Sequence, residues 1–158
     1  MGYSTDFSGH LTLSKPLTEE QNDYYDRFTA MRHMKRNNDL LRQEFKGEFG
    51  LDGEYGIEGE YFVGDEHMYH PSVIDVNRPA ATQPGLWCQW VVNGMDTLEW
   101  DEGEKFYEYE HWLEYVIKHF FSKWDIQLNG TIKWQGEEMD DRGKIIVVDN
   151  VITIVELE

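Results

Sequence analysis

Residues 101–124, DEGEKFYEYEHWLEYVIKHFFSKW, constrain the fold more than any other stretch. Phe106, Tyr109, Leu113, Val116, Ile117, Phe120 and Trp124 recur at three- and four-residue steps, and Trp112 and Phe121 widen the stripe beyond what one sheet face needs. Asp101 with Glu104 has the form of an N-terminal capping box. Glu108, Glu110 and Glu114 precede Lys118, His119 and Lys123, an order that matches the helix macrodipole. The pattern predicts one long, mostly buried helix, and a helix with so broad an apolar face needs a second layer to pack on.

The flanking segments supply that layer as strands. LWCQWVV at 86–92 and TLEW at 97–100 flank the turn signal Asn93-Gly94, and IQLNGTIKWQG at 126–136 carries another, Asn129-Gly130. The clearest hairpin is the last: GKIIVV and VITIVEL enclose Asp149-Asn150, two residues that tolerate the positive φ of a type I′ turn. At the other end, residues 2–13 read as a first strand with Phe7, Leu11 and Leu13 inward, stopped by Pro16. Thr18 and Gln21 form a capping-box match, and Tyr24, Tyr25, Phe28, Met31 and Met34 carry a second helical stripe to about Arg36. The basic run RHMKR then falls in the last turn, where it complements the dipole. The order β-α-(arm)-β-β-α-β-β-β predicts an α+β fold, a mainly antiparallel sheet with two packed helices. At 158 residues it is expected to be a single domain, with a Gly/Glu-rich arm and loop at 47–83.

Charge is the strongest compositional constraint. The net charge is −17, yet residues 1–46 are balanced, and between Lys46 and Lys105 the only base is Arg78. Such a field repels nucleic acid and anionic lipid and attracts basic protein surfaces. No apolar run approaches the ~20 residues of a membrane span, the N-terminus has no secretory pattern, and the lone Cys88 leaves no internal disulfide framework, which together point to the cytoplasm.

Residues 47–64 repeat with a period of six: Gly47-Glu48-Phe49, Gly53-Glu54-Tyr55 and Gly59-Glu60-Tyr61. An even period keeps strand faces. Extended, the arm is apolar on one side, with Glu48, Asp52, Glu54, Glu58 and Glu60 on the other, about 6.6 Å between same-face neighbours and so close to two phosphate steps of DNA. With Asp65, Glu66, Asp101 and Glu102, these carboxylates form the candidate partner-binding surface.

Motifs for chemistry are sparse. His67 and His70 with Asp65 and Glu66 are the nearest approach to a metal set, but they sit in a loop with no further ligand to name, and residues 137–141 lack the Gly-anchored alternation of a calcium loop. Cys88 has no local catalytic signature, and neither a nucleophile elbow nor a phosphate-binding loop is present. All six tryptophans lie within residues 87–134 and read as core, with Trp87 the better candidate for exposure because it and Trp90 point to opposite strand faces. His111 near Glu108 and Glu114 has the makings of a general base; Trp87, Glu99 and His111 are the residues a nucleotide- or sugar-binding or hydrolytic cleft would use.

Taken together, MGYSTDF at 1–7, QPGLWCQW at 83–90, EWDEGEKFYEYEHWLEYVIKHFF at 99–121, LNGTIKWQGEEMDDRGKI at 128–145 and VVDN at 147–150 resemble a family of small uncharacterised proteins of bacterial and bacteriophage genomes. The resemblance implies an intracellular origin and a phage accessory role, and brings no catalytic residue or cofactor with it. The combined reading is a non-enzymatic acidic protein that docks on a basic host protein, inhibiting a nucleic-acid-binding or defence protein. Small-ligand binding or hydrolysis and a virion-associated structural role are the alternatives.

Overall fold

A computed structural model describes residues 2–65 and 67–157. The chain runs β1 (Thr5–Leu13), α1 (Glu19–Thr29), β2 (Lys35–Arg36), α2 (Asn38–Phe45), a 3-10 turn (Ile57–Gly59), β3 (Val73–Asp75), β4 (Trp90–Asn93), β5 (Thr97–Trp100), α3 (Tyr109–Val116) continued by a π-helical turn (Ile117–Phe121), β6 (Leu128–Gly136), β7 (Arg142–Val148) and β8 (Val151–Glu156). The fold is α+β, with a six-stranded antiparallel sheet ordered β4-β5-β1-β6-β7-β8 and a small β2-β3 pair. The backbone divides into two compact units, Met1–Asn22 with Gln89–Glu158, and Asp23–Cys88. The 47–83 stretch falls inside the second.

The first unit is built on a regular ladder. β1 is flanked on both sides, opposing Leu98 of β5 with Leu11 and Trp134 of β6 with Phe7, and its inward residues Phe7, Leu11 and Leu13 are buried as their alternation predicts. Rings of Trp90, Trp100, Phe106 and Tyr109 meet Phe7 edge-on at centroid distances of 5.1, 5.4, 5.9 and 4.9 Å. Asn129-Gly130 is no turn. It lies inside β6, where a Cβ on Gly130 would stand 2.5 Å from the His10 carbonyl oxygen, so the glycine lets two strands approach closely. Asp149 and Asn150 do turn, at φ +47° and +70°, joining β7 to β8 as expected.

The organising helix is shorter than its apolar pattern. Residues 101–108 are irregular, with Glu102, Lys105 and Glu108 at φ +67°, +56° and +58°, and Asp101 accepts from the Gly103 N–H at 2.7 Å instead of capping a helix with Glu104. Local side-chain bonding has outcompeted the helical turn. At the other end the helix closes in a π-helical turn, in which Phe120 and Phe121 are both fully buried. Phe106, Trp112, Leu113, Val116 and Ile117 are buried as predicted, while Tyr109 and Trp124 are half-buried.

The stretch from α1 to the arm departs further from expectation. The capping box of α1 is present, Gln21 N–H to Thr18 Oγ1 at 3.1 Å and Thr18 N–H to Gln21 Oε1 at 3.0 Å, but the helix ends at Thr29. Met31 and Met34 are buried beyond it, and Arg36 lies in a strand, so the basic run does not sit on a helix end. A third helix, α2, starts where Asn37 Oδ1 accepts from the Leu40 N–H at 3.2 Å. The six-residue repeat is a repeat of turns rather than an extended strand: Gly47, Gly53 and Gly59 adopt φ of +95°, +80° and +73°, the left-handed region where glycine has no side-chain penalty.

Candidate functional site

Formal charge separates the two units. Met1–Asn22 with Gln89–Glu158 holds 19 carboxylate side chains against 7 lysines and arginines, a net of −12; Asp23–Cys88 holds 12 against 7, a net of −5. The densest stretch is residues 96–114, where Asp96, Glu99, Asp101, Glu102, Glu104, Glu108, Glu110 and Glu114 accompany a single lysine, Lys105. Six of the eight carboxylates are exposed and two, Glu99 and Glu110, are half-buried. They come from the β4–β5 turn, β5, the irregular 101–108 loop and α3, so the loss of the expected first helical turns is what spreads them over the surface. Glu104, whose sequence pattern read as a capping box, and Glu108, Glu110 and Glu114, whose pattern read as dipole complementarity, belong to this stretch; a local charge count is the signal that finds them.

His111, in α3, is held by Glu108, Nδ1 to Oε2 at 2.5 Å. That hydrogen bond raises the imidazole pKa against the opposing effect of burial, with the charges of Glu108, Glu114 and Glu110 adding to the rise. His111 is thus an exposed imidazole paired with a carboxylate.

In the arm, the carboxylates divide. Glu48, Asp52 and Glu54 are exposed, Glu54 beside Arg42 at 3.3 Å. Glu58 accepts from the Ala81 N–H at 2.8 Å and pairs with Lys35 at 3.0 Å, which lowers its pKa. Glu60 is only 4% exposed: its carboxylate accepts from the Ile57 N–H and the Thr82 hydroxyl at 2.8 and 2.9 Å, while its carbonyl accepts from Gln83 Nε2 at 2.8 Å. It holds turns together and is not available to a partner. Burial pushes Asp65 up, but hydrogen bonds from the His67 N–H and ring, with the charge of His70, prevail and keep it below the usual carboxylate range. Glu66 lies outside the described residues. With no extended strand, the regular 6.6 Å spacing does not arise.

The basic run contributes an interior cation. Arg36 is 2% exposed, donates to Ser72 Oγ at 3.0 Å and the Asp65 carbonyl at 2.6 Å, and lies 4.7 Å from the Phe62 ring; burial lowers its pKa to about 10, against the pull of Asp65. His33 is also buried, its Nε2 2.8 Å from the Phe28 carbonyl, and burial lowers its pKa to about 4.

Trp87, which precedes β4 and lies in no strand, is 44% exposed, whereas Trp90, Trp112 and Trp134 are buried; the expected strand over 86–92 begins only at Trp90. Trp87 belongs to Asp23–Cys88, Glu99 and His111 to the other unit. Glu99 opposes Val91 across the β4–β5 ladder, and His111 is engaged by Glu108. His70 bridges Ser72 Oγ and Glu44, each at 2.7 Å, and among the described residues no group of three or more His, Cys, Asp or Glu is placed to hold a metal ion. A recess of about 300 Å³ is lined by Asp6, Ser8, Lys133, Trp134, Gln135 and Arg142 together with Phe7, Gly143 and Leu157. Among the described residues no helix is long and apolar enough to cross a membrane. No family model, curated protein or solved structure matches the chain.

Proposed function

We propose that the protein is a non-enzymatic interaction protein whose acidic surface at residues 96–114, including Asp101 and Glu102, docks on a basic protein. The exposed arm carboxylates Glu48, Asp52 and Glu54 offer a second, weaker acidic patch. The observation that carries this reading is the exposure of six carboxylates on one short segment with a single lysine among them. A surface of this kind steers a cationic partner toward it and suppresses contact with nucleic acid. The family resemblance makes a host nucleic-acid-binding or defence protein the class of partner, with inhibition by occupation of its basic face as the mechanism.

The test is binding to a host lysate at about 50 and 500 mM salt, comparing wild type with a variant carrying Asp101→Asn, Glu102→Gln, Glu104→Gln and Glu108→Gln. The expected result is a basic partner retained at low salt, released at high salt and lost from the variant. Equal retention of the same partner by the variant would assign the interface to another surface.

A further inference from the structure

Carboxylates make up 31 of the 158 residues, yet the outward face of β6 and β7 is basic. Ile132, Trp134, Gly143, Ile145 and Val147 alternate inward and are buried, so Lys133, Gln135, Arg142 and Lys144 stand on the other face. Of the outward positions, four on each strand, none is a carboxylate. Lys133 opposes Lys144 directly, and Gln135 opposes Arg142. Side chains so opposed have Cβ atoms about 5 Å apart, and like charges there destabilise the pair. Among the described residues, neither lysine is in an ion pair.

The same cations border the recess of about 300 Å³, a volume at the small end of ligand sites. Lys133 and Arg142 line it with Asp6, Ser8, Gln135 and Leu157, and Lys144 stands at its rim. The ladder assembles this set. β1 places Asp6 opposite Gln135 and Ser8 opposite Lys133, while the Leu157 N–H donates to the Arg142 carbonyl at 2.9 Å and brings an apolar side chain alongside. Two cations, a hydroxyl, an amide and one carboxylate thus converge beside an apolar wall.

We infer that this recess binds a small phosphomonoester. Lys133, Lys144 and Arg142 against Asp6 leave a local formal charge of three minus one, or +2, and a phosphate monoester carries about −2 at pH 7. Seated between Lys133 and Lys144, the phosphate turns a repelling pair into two charge-assisted contacts, and the Arg142 guanidinium adds a planar fork of donors. Ser8, Gln135 and Asp6 remain for hydroxyls on the ester, and Leu157 for its carbon frame. The chain's own charge selects the size of the anion: at −17 it repels a polyanion laid across the acidic surface, whereas a small dianion lies within contact of the cations and is screened from carboxylates farther than a Debye length, about 10 Å at 0.1 M salt.

Backbone-amide NMR of the intact chain, titrated with ribose 5-phosphate, inorganic phosphate or ribose at an ionic strength held constant with sodium chloride, tests the site. The expected result is saturable shifts confined to residues 6–8, 133–135 and 142–144, with the ester binding at least about threefold tighter than inorganic phosphate and ribose not binding. Lys133→Gln and Lys144→Gln each weaken the ester at least about fivefold, the effect of losing one charge-assisted contact. Lys118→Gln, an equal change of charge at an exposed position of the π-helical turn, leaves its affinity unchanged. Circular dichroism checks that the variants are folded; if one is not, the wild-type shifts and the ribose comparison decide. No saturation by about 20 mM ester, shifts reproduced by sodium chloride or ribose, equal affinity for ester and inorganic phosphate, or weakening by Lys118→Gln equal to that of the folded Lys133 and Lys144 variants would overturn the assignment.

Discussion

The two units fold by different means. In Met1–Asn22 with Gln89–Glu158, nine-residue strands β1 and β6 pair along their whole length, and the interior is apolar and aromatic. In Asp23–Cys88 the strands are two and three residues long, and much of the backbone is held by side chains: Glu60 on Ile57, Glu58 on Ala81, Tyr55 on Gly47 and Glu48, Arg36 on Asp65. A ladder satisfies its own polar groups and leaves charged side chains free for the surface. A unit made of turns draws carboxylates and guanidinium inward to satisfy its loops. The same residue types thus serve different ends.

Truncating the ladder unit's core has the largest expected effect. Trp112→Ala, at a fully buried site, lowers stability by about 4 kcal/mol in chemical denaturation; a loss below about 1 kcal/mol would mean that the ladder rather than the core holds this unit.

Acid probes the turn-built unit. His33 has a folded pKa of about 4, below the ordinary 6.5, so from pH 6.5 downward the unfolded chain binds the proton first and stability falls, by up to about 3 kcal/mol near pH 4. The contribution is read as the difference between wild type and His33→Gln, which keeps a donor for Phe28 but does not titrate. Parallel pH profiles for the two would remove the buried imidazole from the account.

Arg36→Met keeps an apolar stem but leaves Ser72 and the Asp65 carbonyl without their donor, and is expected to cost about 2 kcal/mol. A neutral outcome would make the comparison between the units one of shape only. Hydrogen exchange sharpens it further: β1 and β6 amides should exchange most slowly and residues 47–64 markedly faster. Smallest of all, Glu54→Gln should change stability by less than about 0.5 kcal/mol, since its partner Arg42 is also exposed.

The sequence was most legible where local pattern and global fold agree. Alternation in β1, the TLEW strand and the Asp149-Asn150 turn all emerge at the expected positions, because each depends on neighbours in sequence. The start of α3 was not legible, since Asp101 bonds Gly103 in a local competition that a periodic stripe does not register. The arm misled for a different reason: period six suits a strand and a repeated glycine turn equally, and only the φ values of Gly47, Gly53 and Gly59 separate them. Burial of Glu60 and Arg36 depends on partners 22 to 36 residues away, Thr82 and Ser72, which no local rule anticipates. Of the candidate surface, Asp101, Glu102, Glu48, Asp52 and Glu54 were readable as exposed acids, whereas the extension along α3 required knowing which residues remain outside the helix's buried stripe.

The account rests on the 96–114 carboxylates acting together toward a cationic surface. Its most direct measurement is the affinity of the captured partner for wild type and for the Asp101→Asn, Glu102→Gln, Glu104→Gln, Glu108→Gln variant as salt is raised. At least a tenfold weaker complex at about 50 mM salt, with a flatter salt dependence, is the predicted result; unchanged affinity and slope would contradict it.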